Sequence, residues 1–343
     1  MPNIILEFFC RGALFLIVTL NKNIKLIVNY VAGPLIMLLL FYAVIRQLEK
    51  QPHWRDYLQQ MLSVAAGHQR MKFFAMVGLM GVNWALESYK WQIALKPVQT
   101  IRFGQAFKGI LAGTCVASFT PNRVGEYLGR MLIVDPGNKL KSVASSVLCS
   151  MSQTLITLMA GSLGIYLFSR LPFQASWMNS SLLKFAGWGT ALGAVGLGLV
   201  YFRFDPLVGR INVLLKKNKK AFVIPDHFEL SILWQVLFLS TLRYTVFLLQ
   251  YYLLFSVFGI SLDAVQVFTG VSVMFVLMAI VPTLTFLTDL GFRWFAGILI
   301  FQVYTPNTAG ILAVSLGIWL INLIIPALVG SLLILRIKLF QSR

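Results

Sequence analysis

Apolar residues in this chain gather in long windows and do not alternate with polar ones. Windows long enough to cross a bilayer, or nearly so, run at about 26–45, 73–95, 142–169, 185–202, 231–258, 264–281 and 311–335. A helix needs ~20 predominantly apolar residues to span the hydrocarbon core. Three further apolar pieces, about 103–119, 123–134 and 291–304, are interrupted by proline, glycine and charge and are too short or too broken to be simple spans. The pattern predicts an all-α polytopic membrane protein with about seven or eight transmembrane helices. Two of its segments are proline-broken, as re-entrant or half-helical pieces, and residues 1–343 form one transmembrane domain.

Loop charge orients the spans, because Lys and Arg near helix ends stay on the cytoplasmic side. The stretch 203–220 holds Arg203, Arg210, Lys216, Lys217, Lys219 and Lys220, and the tail holds Arg336, Lys338 and Arg343, so both are expected inside. The links 170–183, 259–263 and 301–310 carry Arg170 as their only basic residue and are expected outside. Lys90, Lys96, Arg102 and Lys108 put the end of the window 73–95 inside, which leaves 46–72 outside despite Arg46, Lys50, Arg55, Arg70 and Lys72. In that loop Trp54, Tyr57, Leu58, Met61, Leu62 and Ala65 recur at helical spacing opposite Arg55, Asp56, Gln59 and Gln60. This predicts an amphipathic helix over 54–70 lying on the membrane surface, a polar linker being the alternative. Residues 4–20 carry Glu7 and Arg11 and lack an A-x-A site, which fits an interfacial or first membrane helix better than a cleaved signal.

Composition agrees. Hydrophobic residues make up 58% of the 343 and charged residues 12%, against roughly 25% charged in soluble domains. The mean hydropathy is +0.79. Cytosolic enzymes, nucleic-acid-binding modules and disulfide-stapled secreted domains are thereby excluded. The formal charge of +18 would point to nucleic acid in a soluble domain; here it lies mostly in short loops, where it orients helices and favours anionic headgroups. Cys10, Cys115 and Cys149 show no paired spacing, and His53, His68 and His227 stand alone in polar loops. No metal, no cofactor and no Ser-His-Asp triad is expected.

The sequence also matches itself. Gln105-Ala-Phe107-Lys-Gly109 recurs as Gln266-Val-Phe268-Thr-Gly270, and Pro121 recurs as Pro282. The offset is constant (266−105, 268−107, 270−109 and 282−121 all equal 161) and lays the window 73–95 on 234–256. Since the first window runs inward and the second outward, the copies, approximately 73–134 and 234–304, are expected to be inverted. Inverted repeats are a common build of alternating-access transporters, with the substrate between them near the midplane.

Charge sits in both broken segments. The first reads Pro121-Asn122-Arg123-Val-Gly125-Glu126-Tyr-Leu-Gly129-Arg130. A half-helix is expected to start near Pro121, its free N–H groups and Arg123 attracting an anion, while Glu126 and Arg130 stand at i, i+4. The second, Pro282-Thr283-Leu-Thr285-Phe-Leu-Thr288-Asp289-Leu-Gly291-Phe-Arg293-Trp294, repeats that spacing in Asp289 and Arg293. Mutual neutralisation in the first segment, and helix capping by Thr288 or Asp289 in the second, are the bland alternatives. The candidate substrate contacts are Arg123, Arg130, Arg293, Asn122 and Thr288. Glu126 and Asp289 would balance charge or relay protons, and Pro121, Gly125, Pro282 and Gly291 would break the backbone. Glu87 and Arg243 lie at similar depth, ~12 and ~14 Å from the inner ends of their windows at 1.5 Å per residue. They are expected to form an ion pair that locks the fold.

The run Pro121-Asn-Arg123-Val-Gly125-Glu126…Arg130, following Lys90-Trp91 and Phe107-Lys-Gly109, resembles the flippase-like integral-membrane family of the lysylphosphatidylglycerol synthase transmembrane domain, over about 20–340. That family's second motif is usually glycine-rich and ends in Gly, any residue, Arg, Glu. Gly291 and Arg293 are kept here, whereas Trp294 replaces the acid and Asp289 stands where glycine is common. The resemblance implies lipid translocation across a bacterial cytoplasmic membrane by a multi-pass protein, whose C-terminus the loop charges put inside. Some members carry a soluble aminoacyl transferase; this chain ends at residue 343 without one, so no synthase activity is expected. The leading expectation is a flippase or transporter moving an anionic or lipid-linked headgroup, with membrane lipids as its partners and no nucleic acid. The alternative is a non-catalytic partner subunit or scaffold of an envelope lipid or glycan synthesis system, either of them with a membrane protein partner or as a homo-oligomer.

Overall fold

The computed structural model describes residues 42, 59, 70–118, 120, 123–171, 180–204, 228–281 and 286–336. The window 26–45, the surface helix expected over 54–70, the basic stretch 205–220 and the residues Pro121, Asn122 and Pro282 lie outside them, Tyr42, Gln59 and Arg70 apart. All regular structure among the described residues is helical.

Among the described residues seven helices run from Arg70 through the repeated motif: α1 Arg70–Leu95, α2 Phe103–Ala117, α3 Gly125–Met131, α4 Lys139–Phe168, α5 Ser180–Phe202, α6 Leu230–Val257 and α7 Ala264–Ile280. They are followed by α8 Phe286–Phe301, α9 Thr308–Trp319 and α10 Ile325–Arg336. The last two form one rod, joined by a π-helical turn at Leu320–Ile324. Pro326 has no N–H to offer the carbonyl four residues back, that of Asn322, and the widened turn absorbs the missing bond.

Among the described residues four stretches are long and apolar enough to cross a membrane: Pro136–Phe168, Ser181–Phe202, Leu230–Val257 and Thr308–Ile334. The chain is therefore a multi-pass membrane protein. Two of the seven predicted windows fall short of that standard. Helix α7 is apolar but has 17 residues, ~26 Å at 1.5 Å each. Helix α1 has the length, 26 residues, but buries Asn83, Glu87, Ser88 and Lys90 among its apolar side chains.

The repeated motif has a physical meaning at both sites. Gln105 and Gln266 stand at the third position of α2 and α7, and each side-chain oxygen accepts the N–H of the residue capping that helix, Arg102 at 2.9 Å and Asp263 at 3.0 Å. Gly109 and Gly270 each lie where a Cβ would meet an aromatic ring, Trp91 in one and Phe301 in the other. Helix starts follow the same offset. Phe103 and Ala264, the first residues of α2 and α7, differ by 161.

Packing is paired in the same way. Helix α1 lies against α6, α2 against α10, and α7 against α4. The first contact is antiparallel: Lys72 Nζ donates to Ser256 Oγ at 2.7 Å at one end, and Arg243 reaches Asn83 and Glu87 further along. Helices α2 and α3 form a hairpin whose two ends return together, because Gln99 Oε1 accepts from the Asp135 N–H at 3.1 Å and from Asn138 Nδ2 at 3.5 Å. Helices α7 and α8 pack on each other likewise, and Ile260, just before α7, lies against Gly310, just after α8. One hairpin follows the end of α1 and the other the end of α6, so in an antiparallel pair they open at opposite ends of the bundle.

Inside the first hairpin the backbones nearly touch. A Cβ at Gly129 would fall on the backbone of Gly113, and one at Gly125 on that of Val116. Gly109-x3-Gly113 facing Gly125-x3-Gly129 is the small-residue spacing that lets helices approach closely in an apolar medium.

Candidate functional site

Asn83, Glu87 and Lys90 occupy one face of α1 at i, i+4 and i+7, and all three are buried. Glu87 is the centre of the site. Its Oε1 accepts from Arg130 Nη2 of α3 at 2.8 Å, and its Oε2 from Lys90 Nζ at 2.7 Å and from Arg243 Nη1 of α6 at 2.8 Å. One carboxylate thus answers three cations from three helices.

The cluster extends along α3. Arg130 Nη2 also lies 3.4 Å from Glu126 Oε2, and Glu126 Oε1 receives Arg123 through Nη2 at 2.6 Å and Nε at 2.7 Å. Exposure falls along this row, from 50% for the Arg123 side chain to 3% for that of Arg130. The row therefore leads from an exposed side chain to a buried one. Arg123 has a left-handed backbone, φ 57°, in the short break between α2 and α3, a conformation that disfavours residues with a Cβ. That turn aims its guanidinium back at the first turn of α3.

Cations outnumber acids. Lys90, Arg123, Arg130 and Arg243 face Glu87 and Glu126, so by formal charge four basic side chains meet two acidic ones, a formal surplus of two. Arg130 Nε and Nη1 are buried with no hydrogen-bond partner, although each such orphan costs ~1–3 kcal/mol or more. Trp91 lies under the Arg130 guanidinium at 6.0 Å and Trp84 under that of Arg243 at 5.8 Å, cation–π contacts that help to hold charge at this depth.

A row of amides continues from Arg243. Its Nε donates to Asn83 Oδ1 at 2.6 Å, Asn83 Nδ2 to Asn322 Oδ1 at 3.2 Å, and Asn322 Nδ2 to Gln250 Oε1 at 3.0 Å. Asn322 sits on the π turn. Elsewhere in the core, Ser152 meets Ser240 at 2.8 Å and Tyr244 meets Ser272 at 2.7 Å.

The second charged pair stands apart and is balanced. Arg293 Nη2 donates to Asp289 at 3.1 Å and its Nη1 to the Tyr251 hydroxyl at 3.3 Å. Trp294, in the position of the family's acid, is buried.

Several site expectations change in this light. Arg123, Glu126, Arg130, Glu87 and Arg243 come together, whereas Arg293 and Asp289 do not join them. Arg130 was expected to pair locally with Glu126, yet its shorter bond goes to Glu87. Arg243 and Glu87 do meet, but as one spoke of a hub. Helix α3 starts at Gly125, four residues later than expected, and its first N–H is taken by Thr120 Oγ1 at 2.7 Å, with Glu126 in its first turn. The Tyr127 N–H in turn goes to the Val124 carbonyl at 3.2 Å, so at least two of the first donors of this short helix are already taken.

Gly125 is a close-packing residue at the start of α3, and the backbone break lies just before it. Gly291 breaks nothing: α8 runs through it, and a Cβ there would meet open space. Thr288 lies in the first turn of α8.

Lys90, read above as a loop charge that sets topology, is fully buried in the cluster; Lys96, Arg102 and Lys108 remain exposed. Asn83, Asn322 and Gln250 were overlooked as well. The i−4 and i+3 spacing of Asn83 and Lys90 from Glu87 was a legible signal for two of them.

A bundle of apolar helices with two hairpins opening at opposite ends, built around a buried cationic cluster, defines a multi-pass membrane protein with a polar interior site. Residues 30–330 match the lysylphosphatidylglycerol synthase TM region, and the chain belongs to that family. Neither the curated proteins nor the solved structures gave a match.

Proposed function

We propose that this protein is a lipid flippase, moving an anionic or lipid-linked headgroup between leaflets of a bacterial cytoplasmic membrane with its C-terminus inside. One observation carries the reading: four cations against two carboxylates, graded from an exposed arginine to a buried one with unpartnered donors. An uncompensated charge in a membrane helix costs roughly 3 kcal/mol on insertion scales, and an anionic headgroup would offset it. Arg123 captures the headgroup, Arg130 and Arg243 hold it, and Glu126 and Glu87 offset the repulsion among the cations when the site is empty.

In this reading the two halves, approximately 73–134 and 234–304, are inverted repeats, and each hairpin is a re-entrant segment entering from its own side. The matched helix starts and the paired packing support this. Arg243 is the one cluster residue from the second half. It ties the halves in one state and would have to leave Glu87 and Asn83 if they rock about the site. The balanced Asp289 and Arg293 would be the counterpart pair facing the opposite leaflet.

The chemistry proposed is binding and passage, with no bond made or broken in the lipid. Purified protein in proteoliposomes tests this with labelled phospholipids and polyprenyl-phosphate lipids, scored by dithionite quenching of the outer leaflet. Translocation above that of empty vesicles, abolished by Arg130→Gln, is expected. Rates equal to empty vesicles for every lipid, with a synthase co-purifying from membranes, would replace this reading with that of a scaffold subunit.

A further inference from the structure

We infer that the site selects headgroups carrying two negative charges at one phosphorus centre or diphosphate, a phosphomonoester or pyrophosphate lipid, over singly charged phosphodiester lipids and over lipids with a cationic headgroup. This rests on the flippase reading above and concerns which substrate that same site takes.

The inference follows from the charges and their geometry. Both carboxylates are already engaged: Glu87 with Lys90, Arg130 and Arg243, and Glu126 with Arg123 and Arg130. Every oxygen of the two already faces a cation, the longest contact being the 3.4 Å from Arg130 Nη2 to Glu126 Oε2, so a cationic headgroup would enter a field dominated by basic side chains. The facing groups from the other packed elements are neutral. Gln153 of α4 accepts from Lys90 at 3.4 Å, Ser150 of α4 lies 3.5 Å from the Tyr127 hydroxyl, and Asn83 serves Arg243.

The surplus of two is thus uncompensated among the described residues. A phosphodiester would cancel one charge and leave the other buried. A phosphomonoester, close to −2 above its second pKa of ≈ 6, cancels both. It also brings three terminal oxygens to a site with unused donors, Arg130 Nε and Nη1, and planar guanidinium groups bind such oxygens in pairs. By contrast, the Asp289 and Arg293 pair is formally neutral, and although Arg293 Nε is also buried without a partner, that pair has no surplus charge to offset.

The test uses the full chain in vesicles at pH 8, with three probes sharing one labelled acyl chain: a phosphatidic acid, a phosphatidylglycerol and an aminoacylated phosphatidylglycerol. A fourth arm uses a labelled polyprenyl phosphate, which separates the diacylglycerol from the polyprenyl source of the same headgroup chemistry. Phosphomonoester lipids are expected to cross at least about tenfold faster than phosphatidylglycerol, the ratio that one charge-assisted contact supplies.

Arg123→Gln, at the exposed end of the row, lowers the formal surplus from two to one and should bring that ratio close to one. If this variant fails to fold, wild-type protein in detergent serves instead. Glycerol 3-phosphate should then raise its unfolding temperature more than glycerophosphoglycerol does. Equal or faster movement of phosphatidylglycerol or of the aminoacylated lipid overturns the dianion assignment and leaves the flippase standing. If no lipid moves at all, the flippase reading itself falls.

Discussion

Glu87 and Arg243 lie 156 residues apart in sequence and meet at 2.8 Å across an antiparallel helix pair, yet their bond is one of three that converge on the same carboxylate. A simple ion pair would be symmetrical, so that removing either partner harms the fold equally and removing both restores it. A hub behaves otherwise.

Glu87→Gln leaves Lys90, Arg130 and Arg243 together without their main counter-ion. Breaking a buried pair costs about 3–5 kcal/mol, and the loss should appear as a large drop in unfolding temperature in detergent. Arg243→Gln leaves Glu87 with two cations and should cost roughly 1–3 kcal/mol. The double variant should resemble Glu87→Gln alone. A double variant as stable as the wild type would show the pair to be isolated.

The first hairpin depends on absent side chains. Gly129→Ala puts a methyl group into the backbone of Gly113, and overpacking of this kind costs typically 1–3 kcal/mol or more where backbone must shift. Gly291→Ala meets open space inside a helix and should leave the unfolding temperature unchanged or slightly raised. Comparing the two by circular dichroism melts separates close packing from mere glycine content.

Arg123 is half exposed and pairs with one partly exposed acid. A surface pair of this sort contributes little to stability, so Arg123→Ala should melt with the wild type while translocation falls about tenfold or more. Loss of both together would mean that Arg123 holds the hairpin and does not serve the substrate.

The opposed hairpins can be read by labelling from each side. Gln99→Cys and Asn307→Cys, placed where the first and second hairpins close, should react with membrane-impermeant maleimide from opposite faces of sealed vesicles. Reaction from the same face would rule out inverted repeats. Lys72→Cys with Ser256→Cys should be bridged by a bismaleimide with a short spacer, since Lys72 Nζ reaches Ser256 Oγ at 2.7 Å.

Much of this protein is written in one dimension. Helices α4, α5, α6 and the α9–α10 rod follow from apolar windows alone, because a bilayer demands length and hydrophobicity before any tertiary contact. The repeat of Gln105 and Gln266 was legible because a helix cap is local chemistry, satisfied within four residues, and the i, i+4 spacing of Asp289 and Arg293 is local too. The start of α3 was misplaced because Pro121 is a break signal without a fixed distance to the next turn, and Thr120 rather than the proline decides which N–H comes first. Lys90 was misread because charge near a helix end looks the same whether it faces water or a neighbouring carboxylate.

Only the tertiary structure decided that difference. It drew Arg130 away from its sequence neighbour to a glutamate 43 residues earlier, and brought Arg243 from the other half of the chain to join it. The electrostatics of a low-dielectric interior depend on distances of a few ångströms between helices. No pattern along a single helix contains those distances, so the apolar architecture was readable from the sequence, and the count of cations against acids at one site was not.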